Sequence, residues 1–112
     1  MEKFAVGDIV LVAFPFSNLK GKKLRPALVL AHVEFDNLIL CQITSKSYSS
    51  KTAIRIESTD FENGSLPVVS YVRIDKLFTA DISIIEKGAG KLTINVKRDI
   101  LQKVQALFTL NQ

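Results

Sequence analysis

Three short segments hold most of the side chains able to do polar chemistry. Lys20-Gly21-Lys22-Lys23-Leu24-Arg25-Pro26 packs four cations into six residues on a glycine-containing loop, which makes an anion-binding surface. Pro26 keeps Arg25 in an extended conformation at the mouth of the strand that follows. An arginine held there can offer a planar fork to a phosphate, which a lysine cannot do bidentately. Composition alone does not separate this reading from a solvated hairpin loop with solubilising lysines. The second segment, Thr44-Ser45-Lys46-Ser47-Tyr48-Ser49-Ser50-Lys51, combines hydroxyls, two lysines and an aromatic. Ser45, Lys46 and Lys51 suit a single-stranded nucleic acid, with Tyr48 free to stack on a base; taken by itself, a polar loop satisfying its own backbone is the heavier reading. The third is Arg73-Ile74-Asp75, whose charged residues lie at i and i+2 and share one face of a strand. Such a pair can orient a proton-transfer group or clamp a phosphate, and in isolation it is more often a structural surface ion pair.

The elements that must position these groups are mostly short β runs. Asp8 to Phe14 is rich in Ile, Val and Leu and stops at Pro15; Pro26 to Val33 is apolar enough for a strand buried on both faces. Asp36-Asn37 turns the chain into Leu38 to Thr44, and Thr52 to Glu57 includes the alternation Ile54-Arg55-Ile56-Glu57. Asn63-Gly64 is a strong turn signal. Val68 to Ile74 and Phe78 to Ile85 are the last clear strands, ended by Gly88-Ala89-Gly90. Beyond them Val96, Ile100, Leu101, Val104, Leu107 and Phe108 fall at helical spacing, with Asn95 as the expected N-cap. Consecutive strands with hairpin turns favour an antiparallel barrel over a parallel sheet. The expected fold is therefore mainly β, a small antiparallel barrel with a C-terminal α-helix, and residues 1–112 form one domain.

Composition narrows the chemistry. The 112 residues are 47% apolar and 23% charged, the balance of a globule and not of a disordered tail. Such a chain hides roughly 65% of its unfolded surface without disulfides or metal. One cysteine, Cys41, excludes a disulfide framework and a Cys-rich zinc site; one histidine, His32, excludes a histidine metal cage. Fifteen basic against eleven acidic residues give a net charge of +4, which leans toward an anionic partner. Gly88-Ala89-Gly90-Lys91-Leu92 lacks the spacing and the hydroxyl of a phosphate-binding loop. The start, Met1-Glu2-Lys3-Phe4, has no targeting pattern. The chain reads as cytoplasmic, and no cofactor is expected.

Taken in order, these segments make the sequence resemble the MazF/PemK family of toxin endoribonucleases from bacterial type II toxin–antitoxin modules, over nearly its whole length. Gly7-Asp8-Ile9-Val10-Leu11-Val12 with Phe14-Pro15 is similar to the family's opening strand. Leu24-Arg25-Pro26-Ala27-Leu28-Val29-Leu30 resembles its Arg-Pro motif leading into an aliphatic strand, and Cys41-Gln42-Ile43-Thr44-Ser45 its third strand. Val72-Arg73-Ile74-Asp75-Lys76 with Phe78-Thr79 resembles a later strand, and Gly90-Lys91-Leu92 the turn before the last helix. The resemblance implies an SH3-like barrel, usually a homodimer, that cuts single-stranded RNA at specific sequences without metal. It is kept silent by an acidic antitoxin segment lying across the RNA groove. It places catalytic roles on Arg25 and Thr44 and, by one branch of the family, on Arg73 and Asp75. The first loop, Phe16-Ser17-Asn18-Leu19-Lys20-Gly21, lacks the acid or histidine that many members carry, which favours an Arg/Thr scheme over a histidine-dependent one.

On that basis Arg25 stabilises transition-state charge and is a candidate proton donor, and Thr44 bonds the scissile phosphate or the 2′-oxygen. Asp75, held by Arg73, is the best carboxylate candidate for a base, the alternative being that it only orients Arg25. Lys20, Lys22, Lys23, Ser45, Lys46 and Lys51 track neighbouring phosphates, and Tyr48 stacks. Two rival readings remain at this stage: an RNA-binding relic without cleavage, and a toxin that inhibits a protein target such as gyrase, since the fold type alone does not decide.

Overall fold

The structure, a computed structural model, describes residues 4–15, 22–46 and 51–109. Lys20 and Tyr48 lie outside them. The described residues form seven strands, β1 (Asp8–Pro15), β2 (Lys22–Val33), β3 (Asn37–Thr44), β4 (Ala53–Ile56), β5 (Phe61–Gly64), β6 (Ser70–Asp81) and β7 (Ile85–Leu92), then one helix, α1 (Ile94–Ala106). All strand pairings are antiparallel, in one sheet ordered β4-β6-β3-β2-β1-β7-β5. No helix is long and apolar enough to cross a membrane, among the described residues.

Alternation along the strands builds two apolar layers. The inner one gathers Ile9, Leu28, Ile43, Ile56, Val72 and Leu92 under Ile100 of α1. Both terminal strands reach this same cluster, β4 through Ile56 and β5 through Phe61, so the sheet must curl round on itself into the barrel-like form expected. On the opposite face Val10, Val12, Ala27, Val29, Leu38 and Leu40 pack with Ala80 and Ile85. That second layer is why β2 is apolar at successive positions: Ala27, Leu28, Val29 and Leu30 are all buried, alternately in one layer and the other. Each large aliphatic side chain so buried contributes about 1.5–3 kcal/mol before entropy is counted.

Several local expectations gave way to longer-range pairing. The segments 68–74 and 78–85 are not two strands but chiefly one bent strand, β6, because β3 pairs with both of its halves. Asn63-Gly64 does not turn a hairpin; it ends β5, where Gly64 pairs Gly90. Gly88-Ala89-Gly90 does not end the strands but lies inside β7, held by ladders to β1 and β5. A Cβ on Gly90 would stand 2.8 Å from Phe61 Cδ2, so the glycine makes room for that ring. The helix begins earlier than expected: Thr93, not Asn95, is the N-cap, and its Oγ1 accepts from the Val96 N–H at 3.3 Å. The Thr93 N–H in turn donates to the Asp60 carbonyl at 2.9 Å, a tertiary anchor that no helical periodicity reveals.

Cys41 is fully buried in the inner layer, as a small hydrophobe. Burial first, then the charge of Asp75, pushes its thiol up to about 12. A thiol raised this way stabilises the fold fully below its ordinary value near 9.0, and that contribution is lost as pH rises toward about 12. We expect Cys41 to resist an aromatic disulfide reagent in the native protein at pH 8 and to react at once in denaturant. Stoichiometric labelling of the folded chain would show that the strand opens readily.

Candidate functional site

Arg25 and Thr44 are brought together by the β2–β3 register. The β2–β3 ladder ends with Ala27 opposite Gln42; Arg25 and Thr44 lie two residues beyond that last pair on their strands, and both line the same two cavities. Arg25 is exposed and Thr44 half-buried. The Thr44 Oγ1 accepts from the Lys46 N–H at 3.2 Å, which orients the hydroxyl at the end of β3 and leaves its proton able to donate outward.

Two cavities meet at this pair, and Arg25, Pro26, Ile43 and Thr44 line both. The smaller, about 200 Å³, is completed by Gln42, Arg73 and Lys76. Gln42 pairs Arg73 directly across β3 and β6, so it brings an amide alongside three cations, Arg25, Arg73 and Lys76. The larger, about 660 Å³, opens at the barrel mouth. It has Lys23, Lys46 and Lys87 at its rim and an apolar wall that includes Leu24, Leu66, Pro67 and Val68. Ser45 lines it as well. Lys22 begins β2 opposite Pro15. Lys51 is exposed at the entry to β4 and lines neither cavity.

Arg73 and Asp75 form a two-pronged pair: Nε donates to Oδ1 and an NH2 group donates to Oδ2, each at 3.2 Å. One step on β3, from Cys41 to Gln42, spans four on β6, from Leu77 to Arg73. Ile74, Asp75 and Lys76 are therefore the extra residues of a bulge, a device that re-aims side chains. The Arg73 side chain is 15% exposed and faces the small cavity, whereas Asp75 is 41% exposed and lines neither cavity. Hydrogen bonds from Arg73 hold the Asp75 carboxyl below the usual carboxylate range. That geometry suits a carboxylate that fixes the arginine.

Among the described residues, no group of three or more His, Cys, Asp or Glu side chains could hold a metal ion. What the arrangement can do is concentrate positive charge and oriented donors around an anion, beside an apolar recess wide enough for a planar ring. Gln42, Lys76 and Lys87 joined this arrangement without being singled out in the sequence. Gln42 had a readable signal, two residues before Thr44 on the same strand face. Lys87 had none, since only the β1–β7 pairing of Leu11 with Lys87 brings it in.

The fold and this mouth define a small curled β-sheet protein with cationic side chains gathered around two adjoining cavities. Residues 5–108 match the family described as PemK-like, MazF-like toxin of type II toxin-antitoxin system, and the chain belongs to that family. Among solved structures it is similar to a MazE–MazF complex from Deinococcus radiodurans, at 19% identity and a TM-score of 0.75, covering 96% of each chain. It is also similar to the Mycobacterium tuberculosis toxin MazF-mt6, at 19% identity and 0.67, covering 92% of this chain and 99% of that one. A third is a mycobacterial endoribonuclease in complex with its cognate antitoxin, at 14% identity and 0.69, covering 96% and 93%. At these identities the likenesses establish the fold. A comparison with curated proteins gives no match.

Proposed function

We propose that this toxin-family chain is a sequence-specific endoribonuclease for single-stranded RNA that works without a metal ion. The observation that supports it most is the meeting of Arg25, Thr44 and Arg73 around one polar cavity beside an apolar recess. The reaction is an internal transesterification. The ribose 2′-oxygen passes its proton to solvent water and bonds to phosphorus, the bond from phosphorus to the 5′-oxygen breaks, and that oxygen leaves with a proton taken from solvent water. The products carry a 2′,3′-cyclic phosphate and a 5′-hydroxyl. Arg25 and Lys76 meet the charge that builds on the non-bridging oxygens, where fixed donors act most strongly. Thr44 donates to the phosphate and holds it in line. Arg73 shares that anion, oriented by Asp75, whose lowered affinity for a proton suits a positioning role better than that of a base near neutral pH.

Lys23, Lys46 and Lys87 rim the larger cavity and are assigned to neighbouring phosphates. Lys20, Lys22 and Lys51 extend that set, and Tyr48 is assigned to stacking. Lys23→Ala should weaken binding and reduce the slope of log affinity against log salt by about 0.7, the contribution of one phosphate contact on a single strand. An unchanged slope would remove Lys23 from the path. We also infer a homodimer and an acidic antitoxin segment as partners, in keeping with the family and with the MazE–MazF complex among its structural neighbours.

The deciding experiment is incubation of the purified chain with mixed single-stranded RNA in EDTA, with analysis of fragment ends. Discrete cuts ending in cyclic phosphate support the proposal. Binding without cuts would make the chain an RNA binder, and neither binding nor cutting would point to a protein target.

A further inference from the structure

The register carries the cationic mouth beyond the two cavities. Thr44 pairs Tyr71 of β6, and Tyr71 pairs Arg55 of β4. One row across three adjacent strands thus reads Thr44, Tyr71, Arg55, projecting from the same face, with Arg25 beside Thr44 just beyond the end of the β2–β3 ladder. At about 4.8 Å between neighbouring strands, Arg55 stands roughly 10 Å from Thr44. That is a reach for a further nucleotide or two of an extended strand.

Burial separates this row from its neighbours. Ser70 and Val72, flanking Tyr71 in sequence, are buried toward the inner layer, whereas Tyr71 is half-buried on the opposite face. A ring in that position is held by its strand neighbours yet keeps surface for a ligand. Arg55 is 55% exposed in its side chain and donates to Glu57 at 3.1 Å. A surface pair of that kind contributes little, so a phosphate can take over the guanidinium. An aromatic between two arginines, on a row that itself contains no acid, is the arrangement that binds single-stranded nucleic acid by stacking and charge together.

We propose that Tyr71 is a stacking platform for a base of the bound strand, and that the RNA path leaves the Arg25–Thr44 centre across β6 and β4 toward Arg55. This rests on the RNA reading of the site and adds to it a direction and a positioning residue away from the reacting atoms. The bland alternative is that Tyr71 merely favours the strand. Valine serves the strand equally well and cannot stack, so Tyr71→Val separates the two.

The chain has two tyrosines and no tryptophan, so in a Tyr48→Phe background tyrosine emission reports Tyr71 alone. The probe is a mixed-sequence oligoribonucleotide methylated at its 2′-oxygens, which removes the nucleophile. We expect it to quench Tyr71 emission. Tyr71→Val should weaken its binding about ten- to a hundred-fold, as loss of one stacked base does, and Tyr71→Phe should bind as tightly as the parent. Arg55→Gln should lower the salt slope by about 0.7. Unquenched emission in a saturated complex, or parental affinity in a folded Tyr71→Val, overturns the proposal and leaves the RNA reading standing. If the parent chain neither binds this probe nor cleaves unmodified RNA, the RNA reading falls and takes this path with it. Quenching by polyglutamate but not by RNA would assign the row to an acidic peptide and overturn the proposal as well.

Discussion

Arg25→Ala should lower the rate of RNA cleavage by about 10²–10³, the usual effect of deleting one donor aimed at developing negative charge. The size follows from position. Arg25 lines both cavities together with Thr44, and leaves the chain beside Pro26, which constrains the backbone that aims it. Binding should change less than rate, because the lysines at the rim remain. Arg25→Lys should recover little, since an ammonium keeps the charge but cannot offer two parallel donors. The measurement is single-turnover cleavage of a saturating single-stranded RNA, with affinity measured separately on the 2′-methylated strand. Parental rates in Arg25→Ala would displace it from the centre and turn attention to Arg73 and Lys76. A loss confined to affinity would make Arg25 one more phosphate contact.

Gly64→Ala should be the most damaging single-methyl change in the fold, costing about 2–5 kcal/mol. Two effects combine. Gly64 has φ +70, a left-handed conformation that costs a residue with a Cβ about 1–2 kcal/mol. The added carbon would also stand 2.5 Å from the Ala89 carbonyl oxygen and 2.6 Å from the Gly90 Cα. Those are backbone atoms of β7, so relief requires moving a strand, and overpacking of that kind typically costs about 1–3 kcal/mol. For a chain of this size the melting temperature should fall by about 10 °C or more. Gly88→Ala is the control: its Cβ would meet only Phe4 Cε1 at 3.8 Å, an ordinary contact, and stability should move by no more than about 0.5 kcal/mol. Equal melting of Gly64→Ala and the parent would mean that the β5–β7 pairing is absent in solution. The consequence reaches the site, because β7 also carries Lys87, Gly88 and Ala89 on the wall of the larger cavity.

Much of this was written locally. The hydropathy of β1, β2 and β3 marked them to within a few residues, because burial on one or both faces imposes a pattern that neighbours in sequence must carry. Thr44 stood out because it ends an apolar run, but Arg25, expected at a strand mouth before Pro26, lies inside β2, which begins at Lys22 and pairs Arg25 with Val12 of β1. That pairing with a distant strand is not marked in the local sequence. The Arg73–Asp75 pair was legible from its i, i+2 spacing, and the two side chains do meet, although the bulge turns only Arg73 toward the small cavity.

Tertiary structure decided what depended on pairing partners far along the chain. Gly88 to Gly90 looks like a strand terminator by composition, and it is a strand because β1 and β5 hold it from both sides. Thr93 outranks Asn95 as the helix cap because Asp60, more than thirty residues earlier, fixes its backbone. Likewise Tyr71 and Arg55 read only as members of alternating strands until the register set them in line with Thr44. The sequence by itself determined where cations and hydroxyls collect and roughly where β1, β2 and β3 run, since propensity and periodicity act over a few residues. Which of those residues stand together, and on which side of the sheet, was left to ladder registers and one three-residue bulge, which arise from contacts between distant segments and leave no periodic trace in any one of them.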